Sequence, residues 1–362
     1  MKLMFGADLV PTDITNQLFV EQDFKTLFHD VADYTKKADR LIVNLECALT
    51  NSENAIRKCG PNLKADPACA DALKAFGVTD VMLSNNHVFD FGLEGLRDTE
   101  ENLRRVGLPY TGVGENDTDS RKIYYFTEGG KKFAIVNVCE HEYSYALPDR
   151  AGCNPYDPYL TMHDIREAKK NAEIVIVIYH GGKEFCRYPS PRLRLLCHEM
   201  AECGADVVLT QHSHCIGCYE EYEGSHILYG QGNFHFVSPG SDEGWLTSLL
   251  VELDIDDKIR INFYPLVMLE NGIDIAKGEK AKEIMDGFAA RNEELKNGKW
   301  IDGWRAFCNS PGRIFYRNCL KGLFAENSTE HQNQIFAHYL DCEAHTDVWR
   351  ELFPTWNWTN EK

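Results

Sequence analysis

The feature that most constrains this chain is a repeated ending. Short apolar runs of strand length stop in clusters of polar or metal-competent side chains. Residues 2–5 run into Gly6-Ala7-Asp8, residues 41–43 into Asn44-Leu45-Glu46, and residues 78–83 into Ser84-Asn85-Asn86-His87. Residues 174–179 deliver His180-Gly181-Gly182-Lys183-Glu184, residues 207–209 are followed by His212 and His214, and residues 227–229 lead to Asn233. Apolar runs bounded by glycine and polar residues read as buried strands. Helices are predicted between them over residues 19–38, 66–76, 93–106, 162–171 and 191–203. Asp66 and Thr161 are the expected caps, with Pro67 in a first turn, and Gly77 and Gly107 close two of these helices. Strand, polar cluster, helix, glycine is βα grammar, and open α/β sheets bind ligands beyond the carboxyl ends of their strands.

A hairpin is predicted from residues 122–126 and 133–138 around Gly129-Gly130, and antiparallel strands from residues 246–253 and 259–266. The last of these closes the expected core, residues 1–266. Residues 267–362 form an expected C-terminal extension, helical in part over 280–297 and otherwise irregular, that packs on the core or shapes a partner surface. It carries Trp300, Trp304, Trp349, Trp356 and Trp358.

The formal charge of −18 over 362 residues argues against nucleic acid or an acidic membrane as partner. It allows a small or polymeric anionic substrate, because bound cations reverse the field locally. No apolar stretch approaches the ~18 residues of a membrane span, and residues 1–10 lack a signal-peptide core. The 13 cysteines are scattered, as expected of reduced thiols in a cytoplasmic protein. Cys215 and Cys218 form a CxxC pair, but Cys197 and Cys203 are irregularly spaced partners for a closed zinc site.

Asn44 and Glu46 share one face if the strand continues, since side chains alternate. A solvated turn would explain the same two residues, and a helix cap would explain Asp8. Collected, the strand-end set is Asp8, Asn44, Glu46, Asn86, His87, His180, His212 and His214. Carboxylate, amide oxygen and imidazole without thiolate suit Mn, Fe or Zn. Two divalent ions about 3.5–4 Å apart can share a carboxylate and activate water for in-line attack on phosphorus. A histidine not used as a ligand can protonate the leaving group. Lys183 and Arg187 are candidates for substrate contact, although Arg187 is equally an ordinary surface arginine. Glu184 and Asn233 complete the candidate list.

In chain order stand GAD at 6–8, NLE at 44–46, SNNHVFDFG at 84–92, HGGKE at 180–184, GADVVLTQHSH at 204–214 and YGQGNFHF at 229–236. This series resembles the poly-gamma-glutamate capsule biosynthesis protein CapA family, related to the calcineurin-like metallophosphoesterases. The resemblance implies a four-layer α-β-β-α sandwich with metals held by loops at one edge. It implies that Asp8 and His214 serve one ion and Asn86, His180 and His212 another. Glu46 would stand near the bridging position and His87 at that of the proton donor. Two departures are visible. Val10 occupies the histidine position of the wider Asp-x-His motif, and Glu46 replaces a bridging aspartate. One or two ions are therefore expected. Capsule-type members are usually tethered to a membrane; this chain is expected not to be. The expected activity is metal-dependent phosphoester hydrolysis. The alternative is a biosynthetic or binding role in poly-gamma-glutamate or capsular polyanion metabolism, without phosphatase turnover.

Overall fold

The computed structural model describes residues 1–238, 240–310 and 315–354, with nothing said of the Phe315 side chain; Trp356 and Trp358 lie outside the described residues. Two large sheets form the centre. The first has the order Ile273–Ile275, Ile259–Met268, Thr247–Ile255, Lys2–Leu9, Arg40–Leu45, Asp80–Met82, Tyr110–Thr111, with Asn233–His235 also paired to Lys2–Leu9. The second has the order Ile216–Tyr222, Ser225–Gln231, Val207–Gln211, Ile174–His180, Lys131–Cys139, Tyr124–Glu128. The last two strands are the expected hairpin, antiparallel through Gly129-Gly130.

Strand period places the layers. Leu3, Phe5, Ile42 and Met82 of the first sheet pack against Ile135, Ile176, Ile178 and Leu209 of the second. The alternate residues face outward: Met4, Val43 and Val81 onto Phe19, Phe28, Leu73 and Leu96, and Val136, Val175, Val177 and Val208 onto Ile165, Leu196 and Met200. Helix, sheet, sheet, helix is thus a four-layer sandwich, and both faces of each central strand are covered. That is why these strands read as unbroken apolar runs.

Three local expectations need correction. The helix expected from residue 66 is Cys69–Phe76 with Ala68 at its cap, so Pro67 precedes it and Asp66 Oδ1 accepts from the Ala68 amide instead. Residues 19–38 form three short helices, Asn16–Val20, Phe24–Phe28 and Val31–Thr35, because Gln22 (φ 57°) and His29 (φ 38°) turn left-handed between them. Thr161 lies inside the Leu160–Asn171 helix, and Asp157 Oδ1 accepts from the amides of Tyr159 and Leu160 instead.

Just past the second histidine, Gly217 lies in the Ile216–Tyr222 strand against Ser225–Gln231. A Cβ there would stand 1.4 Å from the Tyr229 carbonyl oxygen. A backbone atom cannot swing aside, so Gly217→Ala is expected to cost about 3 kcal/mol or more. The check is the midpoint of urea unfolding; an unchanged midpoint contradicts the close approach.

Beyond the sheets, the Gly278–Lys296 helix sets Ile284 and Phe288 on the inter-sheet core, while Leu295 and Trp300 reach the outer layer of the second sheet. Trp304, Cys308, Tyr316 and Val348 of the following helices form a small core of their own with Cys186. No helix among the described residues is long and apolar enough to cross a membrane.

Candidate metal centre

The site forms where the strand ends of the two sheets meet. Lys2–Leu9 and Arg40–Leu45 run parallel, with Asp8 opposite Asn44. Asn44 Nδ2 donates to Asp8 Oδ1 at 2.7 Å and lies 3.2 Å from His180 Nδ1. Asn233, paired in register with Asp8, holds His214 Nδ1 at 2.8 Å through Oδ1. From the second sheet, the His212 amide donates to Asp8 Oδ2 at 3.2 Å. His212 (φ 84°) and His214 (φ 53°) are both left-handed, a strained conformation for residues with a Cβ and one that collects at functional sites.

Within SNNHVFDFG the two asparagines divide the work. Asn85 Nδ2 donates to Asn44 Oδ1 and to the Leu45 carbonyl, which ties the loop to the neighbouring strand. Asn86 Oδ1 is 2.9 Å from His180 Nε2. His87 Nδ1 is 2.7 Å from Asp90 Oδ2, and buried Lys58 pairs with the same carboxylate.

Ligand-capable atoms converge in overlapping groups. Those of Asp8, Glu46 and His180 lie within 4.8 Å of one another, as do those of Glu46, His212 and His214. Glu46 belongs to both. It is fully buried, and neither of its carboxylate oxygens has a hydrogen-bond partner. His180 Nε2 stands 3.3 Å from Oε1 without forming that bond. Buried charges are normally paired or bound to metal. A carboxylate with two orphan oxygens among imidazoles is the observation that makes these residues fit a divalent cation. Val10 sits in the apolar core.

Burial pushes the Asp8 carboxyl above its usual range, and Glu46 adds to the shift. Burial draws His214 down, but the Glu46 and Asp8 carboxylates outweigh it and raise the ring. His180 and His212 are drawn down to about 4 by burial, so both are neutral at pH 7, the form that binds metal. His235, packed on the rings of Phe19 and Phe28, is likewise drawn down to about 4. All three lie below the 6.5 of an unperturbed histidine, so between those values the unfolded chain binds more protons than the folded one. Their stability contribution is complete above that upper value and is lost as pH falls toward the lower. The thermal midpoint of chelator-treated protein is therefore expected to fall from about pH 7 to about pH 5. Glu140, raised to about 8 by burial, opposes this fall over the same interval, so the check compares His235→Gln with the unmodified protein, and a pH dependence the substitution leaves unaltered contradicts neutral burial of that ring.

Two carboxylates outside the expected strand-end set join the site. Glu142 Oε2 lies 3.3 Å and Glu140 Oε1 4.0 Å from His212 Nε2. Burial pushes Glu140 up to about 8, while His212 and His338 hold Glu142 below the usual range despite its burial. Both follow the Lys131–Cys139 strand, so they occupy another strand end of the same kind; Cys139-Glu140-His141-Glu142 was the available signal. Lys183 is buried with its Nζ 3.3 Å from Glu184 Oε2, and Glu184 acts electrostatically on His212 and His214. Arg187 instead faces a separate hollow with Ile216, Lys280 and Arg291. Beside the centre a cavity of about 620 Å³ is lined by Arg57, Phe89, Glu142, Tyr143, Arg150 and His338, among others.

The family model described as "Bacterial capsule synthesis protein PGA_cap" matches residues 2–238. The capsule biosynthesis protein CapA of Bacillus anthracis is 30% identical over 243 residues, 64% of this chain and 58% of that protein. The PGA biosynthesis protein CapA of Bacillus subtilis is 28% identical over 245 residues, 67% of this chain and 63% of its own length. The match thus spans about three-fifths of these relatives. Among solved structures, a putative 5'-nucleotidase from Staphylococcus aureus aligns with TM-score 0.46 and 16% identity, covering 80% of this chain and 58% of the other. A hypothetical protein from Thermus thermophilus aligns with TM-score 0.48 and 19% identity, covering 74% and 100%. Likenesses this distant have no bearing on what the chain does. With most of the two-sheet core inside the matched span, the chain belongs to the bacterial capsule synthesis protein family.

Proposed function

We propose that this protein is a metal-dependent phosphoester hydrolase whose centre is built by Asp8, Glu46, Asn86, His180, His212 and His214. The observation that carries the reading is Glu46, a fully buried carboxylate with neither oxygen hydrogen-bonded, set among the imidazoles of His180, His212 and His214. Bound divalent ions supply a water activated for attack and neutralise charge on the phosphoryl oxygens. The chain's own residues supply the remainder. Asp8 and Glu46 provide the negative charge that retains cations, and Asn44 and Asn233 orient Asp8 and His214. Asp90 holds His87 through Nδ1, which leaves Nε2 as the ring atom from which a proton passes to the departing oxygen. Arg150, on the wall of the adjoining cavity, faces a small or polymeric anion, and Arg57, held by Glu330, would have to exchange that partner to join it. Mn, Fe and Zn all suit the donor set. We place the chemistry in residues 1–266 and assign residues 267–362 a covering role.

The test is elemental analysis of purified protein, followed by Mn²⁺-, Fe²⁺- and Zn²⁺-reconstituted assays on phosphomonoesters and diesters. Metal retention with turnover that disappears in His212→Ala and Asn86→Ala is the expected result. Retained metal with no turnover across the panel would defeat it. The second reading rests on the relatives, which are named for capsule and PGA biosynthesis. It predicts a protein without turnover that binds a polyglutamate chain.

A further inference from the structure

We propose that the C-terminal helices carry a second metal site adjoining the first, a zinc ion held by His338, Cys342, His345 and Glu140, whose Oε1 lies 4.0 Å from His212 Nε2. Nothing in it depends on the hydrolase reading. Three of its four ligands lie beyond the residues that match the family.

The ligand atoms of His338, Cys342 and His345 lie within 4.8 Å of one another. Local geometry brings them there. Cys342 both ends the Glu330–Asp341 helix and precedes the Glu343–Leu352 helix, in an extended conformation (φ −72°, ψ 127°). The bend at this residue turns His338 of one helix toward His345 of the other, ring centroids 4.6 Å apart and edge to face. The Cys342 thiol is fully buried and donates to Glu140 Oε1 across 3.5 Å. A zinc ion would displace that thiol proton and take both atoms as ligands.

Each imidazole is already steered by one nitrogen. His338 Nε2 is 2.8 Å from Glu142 Oε1, and His345 Nδ1 is 2.6 Å from the Tyr316 hydroxyl. Metal-bound histidines are normally oriented in this way, by a carboxylate or hydroxyl on the nitrogen that does not ligate. The nitrogen left on His338, Nδ1, is buried, and the Cys59 thiol lies against the same ring. Two imidazoles, one thiolate and one carboxylate make a tetrahedral, borderline-soft donor set of the kind zinc occupies. The thiolate and carboxylate cancel the charge of the ion, so the assembly buries no net charge, although Lys183 lies nearby. The centre around Asp8 offers only nitrogen and oxygen. The two sites would select metals differently, even though Glu142 touches both His212 and His338.

Such an ion would pin the last two described helices to the end of the Lys131–Cys139 strand. The experiment is cobalt replacement in the full chain after chelation. Thiolate-to-cobalt charge-transfer absorption is expected in the unmodified protein and is expected to vanish in Cys342→Ser. Zinc content in that variant is expected to fall by one equivalent per chain. Absence of the band in the unmodified protein overturns the site without any variant. A band of equal intensity in Cys342→Ser assigns it to another cysteine and also overturns it, leaving His338 and Glu142 as a simple ion pair.

Discussion

Glu46→Gln is expected to lower phosphoester turnover by about 10³-fold or more, because bound ions contribute several kcal/mol at 1.36 kcal/mol per tenfold. The same substitution is expected to stabilise the chelator-treated protein. The carboxylate is fully buried with neither oxygen hydrogen-bonded, and such a group costs about 1–3 kcal/mol or more. Glutamine keeps the shape and removes the charge. Opposite signs in the two assays separate a metal ligand from a structural carboxylate. Replacing a group that only supports the fold lowers both quantities together. Activity should be assayed at saturating metal, and stability followed by thermal unfolding with and without chelator. Loss of stability in the metal-free protein would contradict the role assigned to Glu46.

His87→Ala is expected to act on a different step. A positioned proton donor contributes about 10²–10⁴-fold, and only where the departing oxygen needs the proton. Alkyl phosphoesters should therefore lose that factor, while activated aryl esters, whose leaving groups depart as anions, should lose little. Asp90→Asn removes the carboxylate beside His87 Nδ1 and also takes the ion-pair partner of Lys58, whose Nζ stays 3.1 Å from His87 Nδ1. It should reproduce the leaving-group dependence in weaker form and move the pH profile. Metal content should stay at the unmodified level in His87→Ala. An equal loss on both ester classes would place His87 in binding or folding and remove it from proton transfer.

Legibility of the site in the sequence followed from how the fold stores it. Residues delivered by a buried strand advertise themselves, because the apolar run before them is long enough to recognise. Asp8, Glu46, Asn86, His180, His212 and His214 all follow such runs, and the structure brings their loops to one edge. Glu140 and Glu142 follow one as well, but Cys139-Glu140-His141-Glu142 merges into a long tyrosine- and proline-rich loop that masks the pattern. The structure sets Gly181 against this segment, where a Cβ would come within 2.9 Å of the Glu140 carboxyl. Lys58 sits in a polar loop, and nothing local marks it as the buried partner of Asp90. His338 and His345 were beyond reach for another reason. Their meeting depends on a bend at Cys342 and on packing among short helices, neither of which leaves a periodic trace. The break at Gln22 and His29 was similarly hidden, since apolar spacing persists through left-handed residues.

The strand that carries Asp8 has a further consequence, for biosynthesis. Lys2–Leu9 is central in its sheet, yet its neighbour on one side is Thr247–Ile255, with Lys2 opposite Asp254. At about 5–20 residues per second, a ribosome needs roughly 12–50 s to supply that partner. Until then Leu3 and Phe5 sit on an open edge, the condition that invites wrong pairing between nascent chains. The contact from the His212 amide to Asp8 spans 204 residues, so the centre cannot form until that length of chain has been made. Metal therefore cannot guide the early chain. Expression trials should respond more to translation rate and chaperone supply than to metal in the medium.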